Sequence, residues 1–414
     1  MHTSPADHLV RAASLHDPQA ARQAGRDDLS LMLMDARNRT LCWLAAFESS
    51  GRLLGGDGHA VVPLRWIGHA AWFQEYWTAR NVQRLRGEAA DQATPRLPSV
   101  ETRADGWFSP ERLPDWRDGH GPSAQEVRDY MARTLDLCLE LLAGAPSTDQ
   151  GLHAFRVVLL HEDRLAERLA VAAQWLGFRP EDVMLDLPST PPLRPQRPPV
   201  WMPASAVELG SRPQGLVPPN ERWAHAMQVP DAEIDAQVVS WARFAEFVQD
   251  RGYDEPSWWT PEGWKWLQEV GRRSPRGVEQ LRSGVVLERW GQLGRASPGL
   301  PATHVTWHEA QAWCAWAGRR LPTEAEWEMA ALSASSRGFV WGDVHEWMLG
   351  EARPYPGSEG QAVAGFGVLN LEAGHRVLRG ASTWTVPRAA HLKARRFVSG
   401  FRDDLFCGFR SCAV

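Results

Sequence analysis

The chain has 414 residues, more than one hydrophobic core usually organises, so two domains are expected. Apolar residues make up 43% and charged residues 23%, the balance of a soluble globular protein. A net charge of −5 excludes the electrostatic footprint of a nucleic-acid or acidic-membrane binder.

No apolar run of about 18 residues occurs, which argues against a membrane-spanning helix, and residues 1–22 lack a signal-peptide pattern. The five cysteines (Cys42, Cys138, Cys314, Cys407, Cys412) are odd in number and scattered. They fit free thiols in a reducing cytoplasm better than a disulfide framework. The 22 Trp exceed the 13 Phe and 4 Tyr combined, a composition suited to irregular, loop-rich cores.

In chain order, residues 1–27 read as a mobile leader. Apolar residues at helical spacing predict a helix from Asp28 to about Phe47, and a second from Val61 to Arg86, opened by Pro63. The basic run Arg80 to Arg86 reads as a solvated helix face. Ser123 and Glu126 form a capping box for a third helix reaching Leu142, and a fourth runs from Gly151 to Leu176, closed by Gly177. Four such helices predict a bundle over residues 28–187. The stretch 188–203 is rich in Pro and reads as an extended linker. Residues 204–414 read as irregular α+β, with two evident helices. These are Trp241 to Arg251, and Trp307 to Ala317 behind a Thr306/Glu309 capping box. Nucleotide-binding glycine loops, a serine nucleophile elbow and paired CxxC motifs are all missing, which disfavours dinucleotide enzymes, kinases, hydrolases and zinc ribbons.

Three C-terminal segments carry a family resemblance: Val305 to Glu328, Asp343-Val344-His345-Glu346-Trp347, and Val377 to Ser382 with Cys407 to Ala413. They resemble the formylglycine-generating-enzyme fold. In the N-terminal half, Trp66-Ile67-Gly68-His69-Ala70-Ala71-Trp72-Phe73-Gln74-Glu75-Tyr76-Trp77 resembles the first iron-ligand helix of the ergothioneine-type sulfoxide synthases. Arg80 to Glu88 is most similar to the selenoneine synthase branch, and His161-Glu162-Asp163 resembles the start of its second ligand motif. The resemblance implies an all-α DinB-like four-helix bundle followed by an irregular α+β formylglycine-generating-enzyme-like (C-type-lectin-like) domain. It further implies a cytoplasmic non-haem Fe(II) protein. With O2, such proteins join a selenosugar or a thiol to the imidazole of Nα-trimethylhistidine.

The chemistry needs three neutral imidazoles on one face of the ion, with positions left open. His69 and His161 are the metal-ligand candidates. A third imidazole is expected at i+4 from His161, on the same helix face, but that residue is Leu165. Arg164 and Arg168 continue this face, and guanidinium groups repel a cation. His153 is the best internal replacement, though packing is the better reading of it. The proton-donating tyrosine of the family would lie before the Leu378-Arg379-Gly380 strand. No Tyr follows Tyr355, and Pro356 to Arg376 offers only Ser358, Asn370, Glu372 and His375. Trimethylhistidine contacts align with Arg396 and Val398, where an arginine is unfavourable. Arg402 matches a family arginine and is the substrate-binding candidate. The insert that relatives carry between Gly342 and Asp343 is missing here, which should reshape or expose part of the core. Cys407 and Cys412 read as core thiols. Two functions remain open: an iron-dependent bond-forming oxygenase with an altered ligand set, and an inactive relative that keeps the scaffold as a binding or regulatory protein.

Overall fold

The computed structural model describes residues 14–56, 61–111, 116, 120–180, 191–281, 284–358, 360, 362–369 and 371–414. The N-terminal half holds six helices among these: α1 (Pro18–Gln23), α2 (Arg26–Ser49), α3 (Pro63–Trp77), α4 (Ala104–Phe108), α5 (Ala124–Ala143) and α6 (Asp149–Leu176). The four long ones, α2, α3, α5 and α6, pack on one another. Their apolar faces bury Trp43, Phe47, Ile67, Tyr130 and Leu169 in one core and Leu29, Leu33, Cys138 and Phe155 in a second. The predicted caps form. Ser123 and Glu126 exchange the reciprocal bonds of a capping box, and Gly177 closes α6 in the left-handed conformation.

Helix α3 stops at Trp77, well short of the expected Arg86. Thr78 turns its hydroxyl back onto the Gln74 carbonyl, and the chain then bends so that Arg80 enters the protein. Arg80 donates to both oxygens of Asp105 and to the Leu97 carbonyl, and it is buried. Arg80 is therefore not part of a solvated helix face, whereas Arg86 is exposed on a short turn of helix at Arg84–Ala89.

The C-terminal half is built on short sheets. One has the strand order 395–399, 375–379, 345–351, 407–408, with the last pair parallel. Another joins strands 200–202, 232–234, 412–413 and 319–320, so that the two ends of the domain meet at Ile234. Four helices flank them: α7 (Trp241–Gln249), α8 (Pro261–Val270), α9 (Trp307–Trp316) and α10 (Glu324–Ser333). Two of these, α8 and α10, were not expected. The Thr306/Glu309 capping box of α9 is repeated by Thr323/Glu326 at α10.

The sequence motifs have structural causes. Glu346 and Arg410, both fully buried, form a two-pronged ion pair. Trp327 also donates to Glu346, at 2.9 Å. Indoles of Trp307 and Trp347 donate to the Met348 and Val305 carbonyls, which satisfies their N–H groups inside the core. Gly408 allows the parallel strand to approach, since a Cβ there would lie 2.4 Å from the Ala302 oxygen. The shortened junction at Gly342–Asp343 does not open the core. Val344 is fully buried, and Asp343 accepts two bonds from Arg194, at 2.8 and 2.9 Å, which pins the Pro-rich linker. Residues 181–190 of the linker region lie outside the described residues.

The segment expected as a mobile leader is docked from residue 14 onward; residues 1–13 lie outside the described residues. Ala21 and Ala24 are buried, and Arg22 forms a two-pronged pair with Glu221, at 2.6 and 2.9 Å. Burial acts to raise the Glu221 carboxyl, but Arg22 outweighs it and holds the group down at about 2. This depressed value sets the sign of a test. The pair stabilises the fold above the ordinary carboxylate value of 4.5, and that stabilisation is lost as pH falls toward 2. Arg22→Met strands a buried carboxylate and should cost about 3–5 kcal/mol at neutral pH. Denaturation midpoints of parent and variant should then converge on acidification below the ordinary carboxylate range. A gap independent of pH would show that Arg22 acts by packing alone.

Candidate functional site

His69 lies in the middle of α3 and His161 in the middle of α6. Gly68 lets Phe108 press against α3, because a Cβ there would overlap the Phe108 ring at 2.0 Å. That approach brings the Phe108 carbonyl within 2.9 Å of His69 Nδ1. A carbonyl only accepts, so Nδ1 carries the proton and the neutral ring keeps its lone pair on Nε2. The two imidazoles stand 5.3 Å apart by ring centroid. Burial lowers the pKa of both. His161, with His69, Arg164 and Arg168 as charged neighbours, is pushed down to about 3. Both are therefore neutral at physiological pH, the form in which imidazole ligates metals.

The remaining requirements for a three-imidazole centre are not met. Leu165 occupies the i+4 position and is 6% exposed, packed in the bundle core. His161 is stacked on Phe73 with centroids 3.9 Å apart. Carboxylates on the same turns are already committed. Glu162 accepts two bonds from Arg37, and Asp163 accepts two from Arg388. Glu167 accepts from His345 at 2.7 Å, from Ser382 at 2.6 Å and from Arg396. His153 is no substitute, because it is buried and its Nε2 contacts the Ala364 carbonyl at 3.0 Å. Among the described residues no group of three His, Cys, Asp or Glu could hold a metal ion. The residues present do not fit the iron centre that the sequence resemblance implies.

One helical turn beyond His161 the two halves of the protein enclose a cavity of about 600 Å³. Trp66, Arg164, Arg168 and Trp175 line it from the bundle, and Arg395, Arg396 and Arg402 from the C-terminal half. The imidazoles of His69 and His161 are not among its lining residues. Arg402 is in the cavity wall, with two bonds to Asp404. Arg396 also lines it, whereas Val398 packs into the C-terminal core. None of the four tyrosines is a lining residue among those described. Tyr355, the tyrosine nearest in sequence to the expected position, is buried between Arg379, Glu324 and Arg395. Ser358 is buried on the Tyr355 carbonyl, and Asn370 lies outside the described residues. The sequence reading found Arg402 and Arg396 but not Arg395, Trp66 or Trp175 as wall residues. The i, i+4 repeat of Arg164 and Arg168 was the available signal.

The arrangement is a helical bundle joined to a tryptophan-rich domain of several short sheets, with a cavity of small-molecule size lined by both. Residues 187–345 match the model of the sulfatase-modifying factor enzyme 1-like domain. The hercynine oxygenase of Mycolicibacterium smegmatis is 29% identical, over 94% of this chain and 98% of its own length. That of Mycolicibacterium thermoresistibile is 32% identical, over 77% of this chain and 70% of its own. The inactive C-alpha-formylglycine-generating enzyme 2 of Bos taurus is 33% identical over 28% of this chain and 40% of its own. The chain belongs to the hercynine oxygenase family. Among the described residues no helix is long and apolar enough to cross a membrane.

If Leu165 fills the place of a lost third ligand, Leu165→His supplies an imidazole on the same face as His161. Ligand number and type set the affinity of such a site, so ferrous-iron affinity should rise by a factor of about ten or more. Anaerobic competition titration of parent and variant measures this. Equal affinities would show that the pocket never had a triad geometry.

Proposed function

We propose that this chain is a member of the hercynine oxygenase family that keeps the two-domain scaffold as a small-molecule binding or regulatory protein and no longer performs the oxygenase reaction. The observation that carries this reading is Leu165, buried in the bundle core where a third imidazole would have to project. Two further features agree with it. The cavity offers no tyrosine as a proton donor among its lining residues. It also presents Arg396 at the position that aligns with a trimethylhistidine contact, where the trimethylammonium end of that zwitterion would need a neutral or acidic neighbour.

A second reading draws on a different observation. His69 and His161 remain adjacent and neutral, and His69 is oriented by the Phe108 carbonyl in the way that outer hydrogen bonds orient ligating histidines. On that reading the protein is a selenoneine or ergothioneine synthase-like enzyme with an altered Fe(II) ligand set, joining a selenosugar or a thiol to trimethylhistidine.

Turnover separates the two. The chain, loaded anaerobically with ferrous iron and then exposed to air with trimethylhistidine and either a selenosugar or a thiol, should yield no C–Se or C–S product by mass spectrometry. Product formed at about 1 per second or faster, the rate of an ordinary enzyme, would establish the second reading.

A further inference from the structure

A second, smaller cavity lies beside the strand pair 285–289 and 292–296, and it shares no lining residue with the cavity between the two halves. About 40 Å³ is open inside it, where one water needs roughly 10–15 Å³, so it has room for a few waters or one small polyatomic ion. Its wall holds polar groups that lack a partner among the described residues. The indole N–H of Trp241 and Nδ1 of His304 make no hydrogen bond, and the two residues are only 1% and 8% exposed. The guanidinium of Arg289 lines the same space and has neither an ion pair nor a hydrogen bond among the described residues. It projects from the same face of its strand as the buried Leu287, whereas Glu288, on the other face, is exposed. The other charges of the wall are committed. Asp343 accepts two bonds from Arg194, and Arg276 donates to Asp403.

These groups specify what can sit between them. The indole and the guanidinium only donate. Burial holds His304 down at about 4, so its ring is neutral at physiological pH. A neutral imidazole has one N–H and one lone pair. The Leu405 backbone carbonyl takes the N–H, which leaves Nδ1 as an acceptor. The backbone at His304 lies in the left-handed region, at φ 60°, a conformation uncommon outside glycine that collects at functional sites. Water can satisfy Trp241 and His304 but brings no charge to Arg289. A bare anion suits Trp241 and Arg289 but turns its lone pairs onto Nδ1. An oxyanion that keeps one proton meets all three. Trp290, Trp384 and Phe406 supply apolar wall around it, and a charge-assisted bond is stronger in such a surround.

We infer that this second cavity binds a small protonated oxyanion of the bicarbonate class, its oxygens accepting from Trp241 Nε1 and the Arg289 guanidinium and its O–H donating to His304 Nδ1. The inference goes beyond the role proposed above and stands whether or not the iron centre is lost, because the site uses neither His69, His161 nor the larger cavity.

Sealed-cell calorimetric titration of the full chain tests this, at mildly alkaline pH, with sodium bicarbonate in one arm and sodium nitrate in the other. Nitrate has the same planar shape and single charge but no proton to give. Bicarbonate should bind saturably at one site per chain. Nitrate should bind about tenfold or more weakly, since it leaves Nδ1 unsatisfied in a buried site. Arg289→Gln should weaken bicarbonate binding about tenfold or more, the scale of a lost charge-assisted bond. Trp241→Phe should weaken it about fivefold, the scale of a lost neutral bond. Arg212→Gln, on the surface, should leave it unchanged. Thermal melting of each variant checks that it is folded, and Arg289→Gln, at a half-buried position, carries the test if Trp241→Phe is not. Three results would each overturn the inference: no saturable bicarbonate binding, which leaves water as the occupant; nitrate bound as tightly as bicarbonate; or full affinity retained by Arg289→Gln. None of these bears on turnover, so a failure here and a failure of the proposed function are told apart by separate assays.

Discussion

Glu167 is the carboxylate on which the geometry of this protein turns. It is buried at the seam, on a bundle helix, and every bond it accepts comes from the C-terminal half: His345, Ser382 and Arg396. Burial works against its charge, but Arg396 and His345 outweigh it and hold the carboxyl well below its usual range. A buried charge of this kind is tolerated only when its oxygens are fully engaged, so the seam has one arrangement rather than many. The consequence reaches along α6. Successive residues on a helix point about 100° apart, so three acids on neighbouring turns reach three different places. Glu162 meets Arg37 inside the bundle, Asp163 meets Arg388 from the other half, and Glu167 meets the sheet. With those three fixed, the helix cannot rotate, and the directions of His161, Arg164 and Arg168 follow.

This arrangement explains which parts were legible in the sequence. Local signals were readable where local chemistry decides. Ser123 with Glu126 and Thr306 with Glu309 marked true helix starts, and Gly177 a true end. Reading failed where a distant partner decides. Helix formers continue past Trp77, but Arg80 leaves the helix for Asp105. The leader looked mobile because Arg22 finds its carboxylate 199 residues away. The third capping box, Thr323 with Glu326, was within reach of the same rule that found the other two and was missed inside the longer motif.

The site divides in the same way. His69 and His161 were found through resemblance, and the structure brings them together. That they pack against Phe73 rather than open into the cavity depends on tertiary stacking, which no spacing encodes. Arg164 and Arg168 show their shared face in the sequence. The convergence on them of Arg396 and Arg402 depends on how the two halves dock.

These features are linked by electrostatics rather than by coincidence. A divalent ion at His69 and His161 would place a double positive charge about one helical turn from Arg164. The guanidinium groups of Arg164 and Arg168 would repel that charge. With Leu165 buried in the bundle core at i+4 from His161, no third imidazole adds to the cation-binding capacity of this face, and Arg164 and Arg168 occupy the turns beside it. Leu165 and the two arginines lie on neighbouring turns of the same helix, so the charge that each position can tolerate bears on the others. The scaffold around them is held by Glu162 and Asp163, committed to Arg37 and Arg388, and by Glu167, which meets Arg396 at the cavity wall and His345 and Ser382 behind it.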